Sequence, residues 1–314
     1  MLLANVAAGW LSHASLAATR PDLISLTLEG NPDGWTAVDY TVNCATGLPM
    51  VTGGGSAAAP VNSVLPAWDV VCALTAALSL STAVTRRRMT GEGAEMRFAL
   101  SDVTFSTVSH LGYIAEAEIL GAERPSLGND LYGAFGRDFP TGDGRRVMLA
   151  AITRRPWTSL VTACDLTEPI AAIERAMGLD FTREDDRFEG RDVIAGLVRR
   201  WCSQHSFDSV RQAFSAHGVC WGVYQSFAEL VRDDPRCSEA NPVFERITTH
   251  GIGTHLAAGF ATRVAGLERG DIVPAPLLGQ HTDEILAGVL GLSDREIGSL
   301  HDRGVVAAAG RTQT

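Results

Sequence analysis

Lysine is absent: all 26 basic side chains among the 314 residues are arginines. That excludes Schiff-base catalysis, a phosphate-loop lysine and a lysine general base, because each needs a primary amine. Positive charge is also scarce overall, with 36 acidic residues and a formal net charge of −10. Nucleic acid is therefore not expected as a partner, since phosphate backbones need clustered cations. Cysteine is sparse: Cys44, Cys72, Cys164, Cys202, Cys220 and Cys237 form no CxxC pair and no dense framework. This usage points to a reducing cytoplasm. Cys202 with His205, and His217 with Cys220, have a spacing open to a zinc reading. The preferred reading is packing, with Cys202 and His205 on one helix and Cys220 in an apolar run, because free cysteine is commonly a small buried hydrophobe. GxSxG, HExxH and a GxGxxG behind a strand are all missing, so serine-hydrolase, zinc-protease and dinucleotide-fold chemistries have no foothold.

What is present is apolar mass, 46% of the residues, enough for a substantial core in one or two domains. Residues 64–84 run apolar into Arg86, Arg87 and Arg88, as a membrane span with a positive flank would. Asp69 and many Ser, Thr and Ala residues interrupt that run, so a buried helix is predicted and no membrane partner. Residues 1–18 are apolar without a preceding basic residue and contain Asn5, Trp10 and His13, which is unlike a signal peptide.

Helical periodicity covers residues 2–19 until Arg20-Pro21-Asp22 stops it, with no strand expected before it. Residues 23–28, LISLTL, read as a strand closed by the turn Glu29-Gly30-Asn31-Pro32. A helix over 66–84, a turn at Thr90-Gly91-Glu92-Gly93, a strand over 96–102 and a helical stretch from Asp102 to about Gly121 follow. Glycines then punctuate the chain from Arg124 to Gly142, and a smaller α/β segment with the runs VMLAAI and VCWGVY succeeds them. Two helices close the chain, the second opened by a capping box of Ser293 and Glu296 and ended near Gly304.

Asp69 is the only charged residue between Tyr40 and Arg86. A carboxylate in such a setting is either specifically solvated or neutral. Pro66 and Asp69 fit a helix start, where amides and the dipole favour an anion. A helix-capping acid and a functional carboxylate both remain open on this ground. Gly53-Gly54-Gly55 reads as a mobile loop rather than a phosphate cradle. His110 reads as a packing histidine, and Glu116 and Glu118 as solvated or domain-facing.

The series Asp39-Tyr40, Thr46-Gly47-Leu48-Pro49, Val51-Thr52-Gly53, Pro66-Ala67-Trp68-Asp69 and Arg88-x-Thr90-Gly91-Glu92-Gly93 resembles the middle of the class III CoA-transferases. The tail Ala275-Pro276-x-Leu278-Gly279-x-His281-Thr282-Asp283-Glu284-Ile285-Leu286, with Leu290-Gly291-Leu292-Ser293, is similar to that family's C-terminal signature. Within the family, DYTVNCATGLPMVTG, NSVLPAWD, SHLGYIAE and LYGAFGRDF resemble a branch that moves CoA between the two carboxyls of one C5 unsaturated dicarboxylate. The resemblance implies an α/β fold of interlocked-dimer type. A Rossmann-like large domain would begin at 1–125, a smaller α/β domain would span 126–240, and 241–314 would return C-terminal helices to the large domain. It implies Asp69 as the nucleophile that becomes an aspartyl-CoA thioester. Ala37, Val38, Asp39 and Tyr40 would approach CoA, which arrives as part of an acyl-CoA substrate with no permanently bound cofactor and no metal. Backbone amides of Gly53–Gly55 or Gly133–Gly136 would stabilise the oxyanion. Complete family members begin with roughly ninety further residues forming the first βαβ of the large domain, so the resemblance implies that this part is missing here. Transfer between two different acids, or an inactive truncated homologue, are the alternatives it leaves.

Overall fold

Parallel pairing organises the start of the chain. Strand β1 (Leu2–Ala4) pairs with β2 (Ile24–Glu29), and β2 with β3 (Ala94–Ala99), all parallel and with Leu26 opposite both Leu3 and Met96. Parallel neighbours need crossover connections, and the helices His13–Ala17 and Ala67–Thr90 lie between these strands in the chain. Ile24 and Leu26 on the central strand are fully buried. In this computed structural model residues 1–6, 8–54 and 59–307 are described, and they divide into two units, Met1–Val223 and Tyr224–Thr314. The strand β1 corrects the expectation of a helix over 2–19. Three residues are too few to show alternation, and their conformation is selected by pairing with Ser25, Leu26 and Thr27, which local periodicity does not report. Helix is confined to a 3-10 turn at Gly9–Leu11 and to His13–Ala17, which Ser12 caps by accepting from the Ser15 amide.

Two glycines are demanded by close approach at the ends of this sheet. A Cβ on Gly93 would lie 2.2 Å from the Leu23 carbonyl oxygen, and one on Gly30 would lie 2.5 Å from the Ala37 nitrogen. Only glycine lets the chain pass so near another backbone segment.

The helix Ala67–Thr90 runs beyond the predicted residue 84 and ends at Gly91, whose φ of +76° supplies a left-handed cap. Arg87 and Arg88 occupy its last turn, where cations are favoured. It is not the buried helix its composition suggests. Trp68, Cys72, Ala76 and Ala83 are buried, whereas Leu74 and Leu78 are 67% and 69% exposed. Small residues on the inward face bring the helix close to β2 and to the helix Leu100–His110, and the larger aliphatic side chains are left outside.

The predicted stretch from Asp102 to Gly121 is two helices, Leu100–His110 and Tyr113–Leu120, broken at Gly112 with φ +88°. His110 is exposed and not a packing histidine, because it sits in the last turn facing away from the buried Ser101, Thr104 and Val108 row. Glu116 pairs with Arg124, whose guanidinium lies 3.9 Å from the Tyr132 ring centroid and 4.8 Å from that of Tyr113.

A second, antiparallel sheet holds β4 (Phe135–Pro140), β5 (Arg146–Ala151) and β6 (Trp221–Val223) in that order. Helices Arg154–Ala163, Arg191–Gln204 and Phe207–His217 pack with it around Phe135, Phe139, Leu149, Leu160, Val198 and Phe214. Inside this core burial pushes the Cys202 thiol up to about 12. His205 stacks on Trp201 with ring centroids 4.2 Å apart and its Nδ1 2.7 Å from the Trp201 carbonyl oxygen. Cys202 and His205 are thus committed to packing, whereas Cys220 is exposed rather than packed. No metal-binding cluster of three His, Cys, Asp or Glu occurs among the described residues. Arg187 is fully buried and donates to the carbonyls of Phe181, at 2.7 Å, and Ile152.

The second unit carries the hairpin β7 (Phe244–Thr249) and β8 (Gly253–Ala258), then helices Thr282–Gly288 and Asp294–Asp302. The predicted capping box is present: Ser293 Oγ accepts from the Glu296 amide, and the Glu296 carboxylate accepts from the Ser293 amide at 2.8 Å.

Candidate active site

Asp69 stands in the first turn of the helix Ala67–Thr90, two residues after the helix begins. An acid there could satisfy itself by capping its own helix. Here that role is taken from thirty residues away. Asp39, only 4% exposed, accepts with Oδ2 from the Trp68 amide at 2.7 Å and the Asp69 amide at 3.2 Å. The helix N-terminus is therefore capped in trans by a buried carboxylate. The Asp69 side chain is exposed and makes no hydrogen bond or ion pair among the described residues.

The anchoring continues sideways. Trp68, 5% exposed, donates through Nε1–H to Asn43 Oδ1 at 2.9 Å. Asn43 Nδ2 donates to Asn62 Oδ1, which also accepts from the Ser63 amide at 2.9 Å. Asp39 and Asn43 lie one turn apart on the short helix Asp39–Cys44, so one helix face grips both the amides and the indole at the start of the next. Val42, Trp68, Cys72, Leu100 and Val108 fill the space beneath. The Cys72 thiol, one turn after Asp69, is pushed up to about 11, first by burial and then by the negative charges of Asp69 and Asp39.

Of the four residues predicted to approach CoA, Asp39 is buried against the Asp69 helix, Ala37 is half-buried, and Val38 and Tyr40 are exposed beside it. Gly53 adopts φ +99° and its carbonyl accepts from the Gly128 amide at 2.7 Å and from Ser126 Oγ at 2.5 Å. Gly54 bridges Leu127. The loop after Thr52 is thereby tied to the glycine-rich crossing that leads into β4. Gly55, the third residue of the predicted oxyanion loop, lies outside the described residues. In the alternative loop, the Gly136 carbonyl accepts from the Leu131 amide at 2.9 Å, and Gly136 pairs with Ala150 in the β4–β5 ladder. Asn43, Asn62 and the indole of Trp68 escaped the sequence reading. The available signal was a lone Asn one helical turn after an Asp, on an otherwise apolar helix face.

Comparisons with known proteins agree on one group. The sequence profile of CoA-transferase family III matches residues 4–282. The 2-methylfumaryl-CoA isomerase of Chloroflexus aurantiacus is 45% identical over 305 residues, covering 97% of this chain and 75% of that protein. The formyl-CoA:oxalate CoA-transferase of Rhodopseudomonas palustris is 23% identical, covering 85% of this chain and 63% of its own. Among solved structures, a CAIB/BAIF family protein from Brucella suis superposes with a TM-score of 0.67 at 20% identity, over 89% of this chain and 71% of that one. Rv3272 of Mycobacterium tuberculosis gives 0.68 at 17% identity, over 90% and 75%.

Proposed function

The chain belongs to CoA-transferase family III, and from that premise we propose that it moves CoA between the two carboxyl groups of 2-methylfumaryl-CoA through a thioester on Asp69. The observation that carries this reading is the division of labour at the helix start. Asp39 takes the amides of Trp68 and Asp69, and the carboxylate of Asp69 has no hydrogen-bond or ion-pair partner among the described residues. A capping acid would be engaged with its own helix; a nucleophile has to be free. The relative of known name at 45% identity supports the choice of substrate.

In the proposed reaction an Asp69 oxygen attacks the thioester carbonyl, the carbon–sulfur bond breaks, and CoA leaves as thiolate. The thiolate then attacks the Asp69 carbonyl of the mixed anhydride, which releases the substrate carboxylate and leaves an aspartyl-CoA thioester. The other substrate carboxylate attacks that thioester, the thiolate leaves again, and it adds at the new acyl position, restoring Asp69. Asp39 holds the backbone at Asp69, so that the carboxylate is presented with little conformational freedom. Ala37, Val38 and Tyr40, which flank the buried Asp39 in the chain, are the residues we assign to the approach of CoA. A homodimer in a cytoplasmic setting completes the reading; six free cysteines support the compartment.

The test is Asp69→Ala and Asp69→Asn, with turnover of 2-methylfumaryl-CoA and mass spectrometry of the protein after incubation with it. A fall of about 10³-fold or more in kcat is expected, together with loss of a CoA adduct on the peptide containing Asp69. Full turnover in both variants removes Asp69 from the mechanism. Labelled free acid added to the wild type reads out the partner of transfer: label entering the thioester would replace the intramolecular route by an exchange between two acids.

A further inference from the structure

The groove between the helix Arg154–Ala163 and His217, the last residue of the helix Phe207–His217, takes no part in the chemistry above. Its volume is about 480 Å³, and Arg154, Arg155, Thr158, Ser159, Thr162 and His217 line it. No carboxylate is among them, although acidic residues outnumber arginines by 36 to 26 in the chain. Elsewhere in the same module arginines face acids: Arg137 meets Asp130, Arg146 meets Asp138, and Arg191 meets Asp130. Neither Arg154 nor Arg155 makes a side-chain hydrogen bond or ion pair among the described residues, although Arg154 is one of the charges that lower Asp180, outside the groove.

The hydroxyls extend the pattern. Thr158 and Thr162 donate back to the carbonyls of Arg154 and Thr158, at 3.0 and 2.9 Å. Ser159 makes no side-chain hydrogen bond among the described residues, so its O–H is available as a donor. The groove thus offers two guanidinium forks, one serine hydroxyl and an imidazole, with no anion of its own. Both guanidiniums line the groove, and a bound anion would meet positive charge from each. Guanidinium forks match the tetrahedral oxygens of a phosphoryl group in pairs, with several acceptor oxygens for several donors.

We infer that this groove binds the phosphoryl group of a small molecule. The inference is independent of the Asp69 reading, because the groove contains none of the residues assigned to acyl transfer. Phosphoryl oxygens reach it either from free phosphate or from the 3′- and 5′-phosphates of a CoA-type nucleotide.

Calorimetric titration of the full chain with inorganic phosphate, at constant ionic strength, tests it. Saturable binding is expected, weakened about tenfold or more in the double variant Arg154→Gln/Arg155→Gln. Both side chains are exposed, and an unchanged thermal melt of the variant without phosphate verifies its fold. The control Arg199→Gln/Arg200→Gln removes the same charge from another helix and should bind as the wild type does. Adenosine 3′,5′-bisphosphate is the second probe. Tighter binding than phosphate, lost in the same double variant, identifies a nucleotide as the source; equal binding, lost likewise, identifies free phosphate. Absence of saturable binding by both probes, or equal weakening in the control variant, overturns the inference.

Discussion

The two halves of the first unit bury their apolar residues to very different degrees. Around β4, β5 and β6, nineteen buried residues form one continuous cluster. Around the start of the helix that carries Asp69, the corresponding cluster has five. The second region is not poorer in hydrophobic residues; it presents them outward, at Val70, Leu74 and Leu78. Apolar composition therefore measures what a segment is able to bury, whereas the chain's own packing decides what it does bury. The candidate nucleophile sits in the open region, where a polar network of Asp39, Asn43 and Trp68 supplies the rigidity that the denser core supplies elsewhere.

The contrast can be broken by mutation, and the largest effect is expected in the closed core. Phe214→Ala should cost about 3–5 kcal/mol in urea unfolding, through lost transfer energy and a residual cavity. A cost below about 1 kcal/mol would mean that this core collapses around the gap, contrary to close packing. Next comes Asp39→Ala, which strands the Trp68 and Asp69 amides and should cost about 1–3 kcal/mol. Asp39→Asn keeps an acceptor oxygen and should recover most of that stability. If the two variants unfold alike, the cap does not hold the helix start.

A smaller effect is expected at alkaline pH. Burial pushes the Cys202 thiol up to about 12 and raises that of Cys164, while burial and the Asp69 and Asp39 charges push Cys72 up to about 11. Unfolded thiols ionise near roughly 8.5, so above that pH the unfolded chain loses protons that the folded chain keeps. Stability contributed by these groups is complete below that pH and falls as pH rises toward about 11 and 12. Asp69→Asn removes one of the charges that raise Cys72 and should make its share of the decline smaller. Melting temperature against pH, in wild type and variant, gives both slopes. The smallest effect is assigned to Leu74→Ala, at about 0.5 kcal/mol or less, because its side chain already meets solvent. A larger cost, varying with protein concentration, would show that a second copy covers this face; sedimentation equilibrium reads the assembly directly.

Local signals located much of this fold. The β-type run in residues 23–28, the Gly91 stop and the Ser293–Glu296 capping box each rest on a handful of neighbouring residues, and each recurs in the structure at or near the expected position. The break at Gly112 was less visible, because a single glycine inside apolar periodicity is compatible with a continuous helix. Strand β1 was invisible, since only its partner twenty-odd residues later makes it a strand. At the site, Asp69 stood out as a lone charge in an apolar run, and Pro66 marked the helix start correctly.

What the sequence alone determined is the conformations that neighbouring residues signal, such as the strand after Pro21, the helix start at Pro66 and the Ser293 capping box, together with the family pattern and the one lone carboxylate in an apolar run. Tertiary structure alone decided which face of the helix Ala67–Thr90 is inward, and that Asp39 rather than Asp69 serves the helix amides. The reason is physical. Periodicity and capping preferences act between residues a few positions apart, but a hydrogen bond across thirty residues exists only once the intervening chain has folded back.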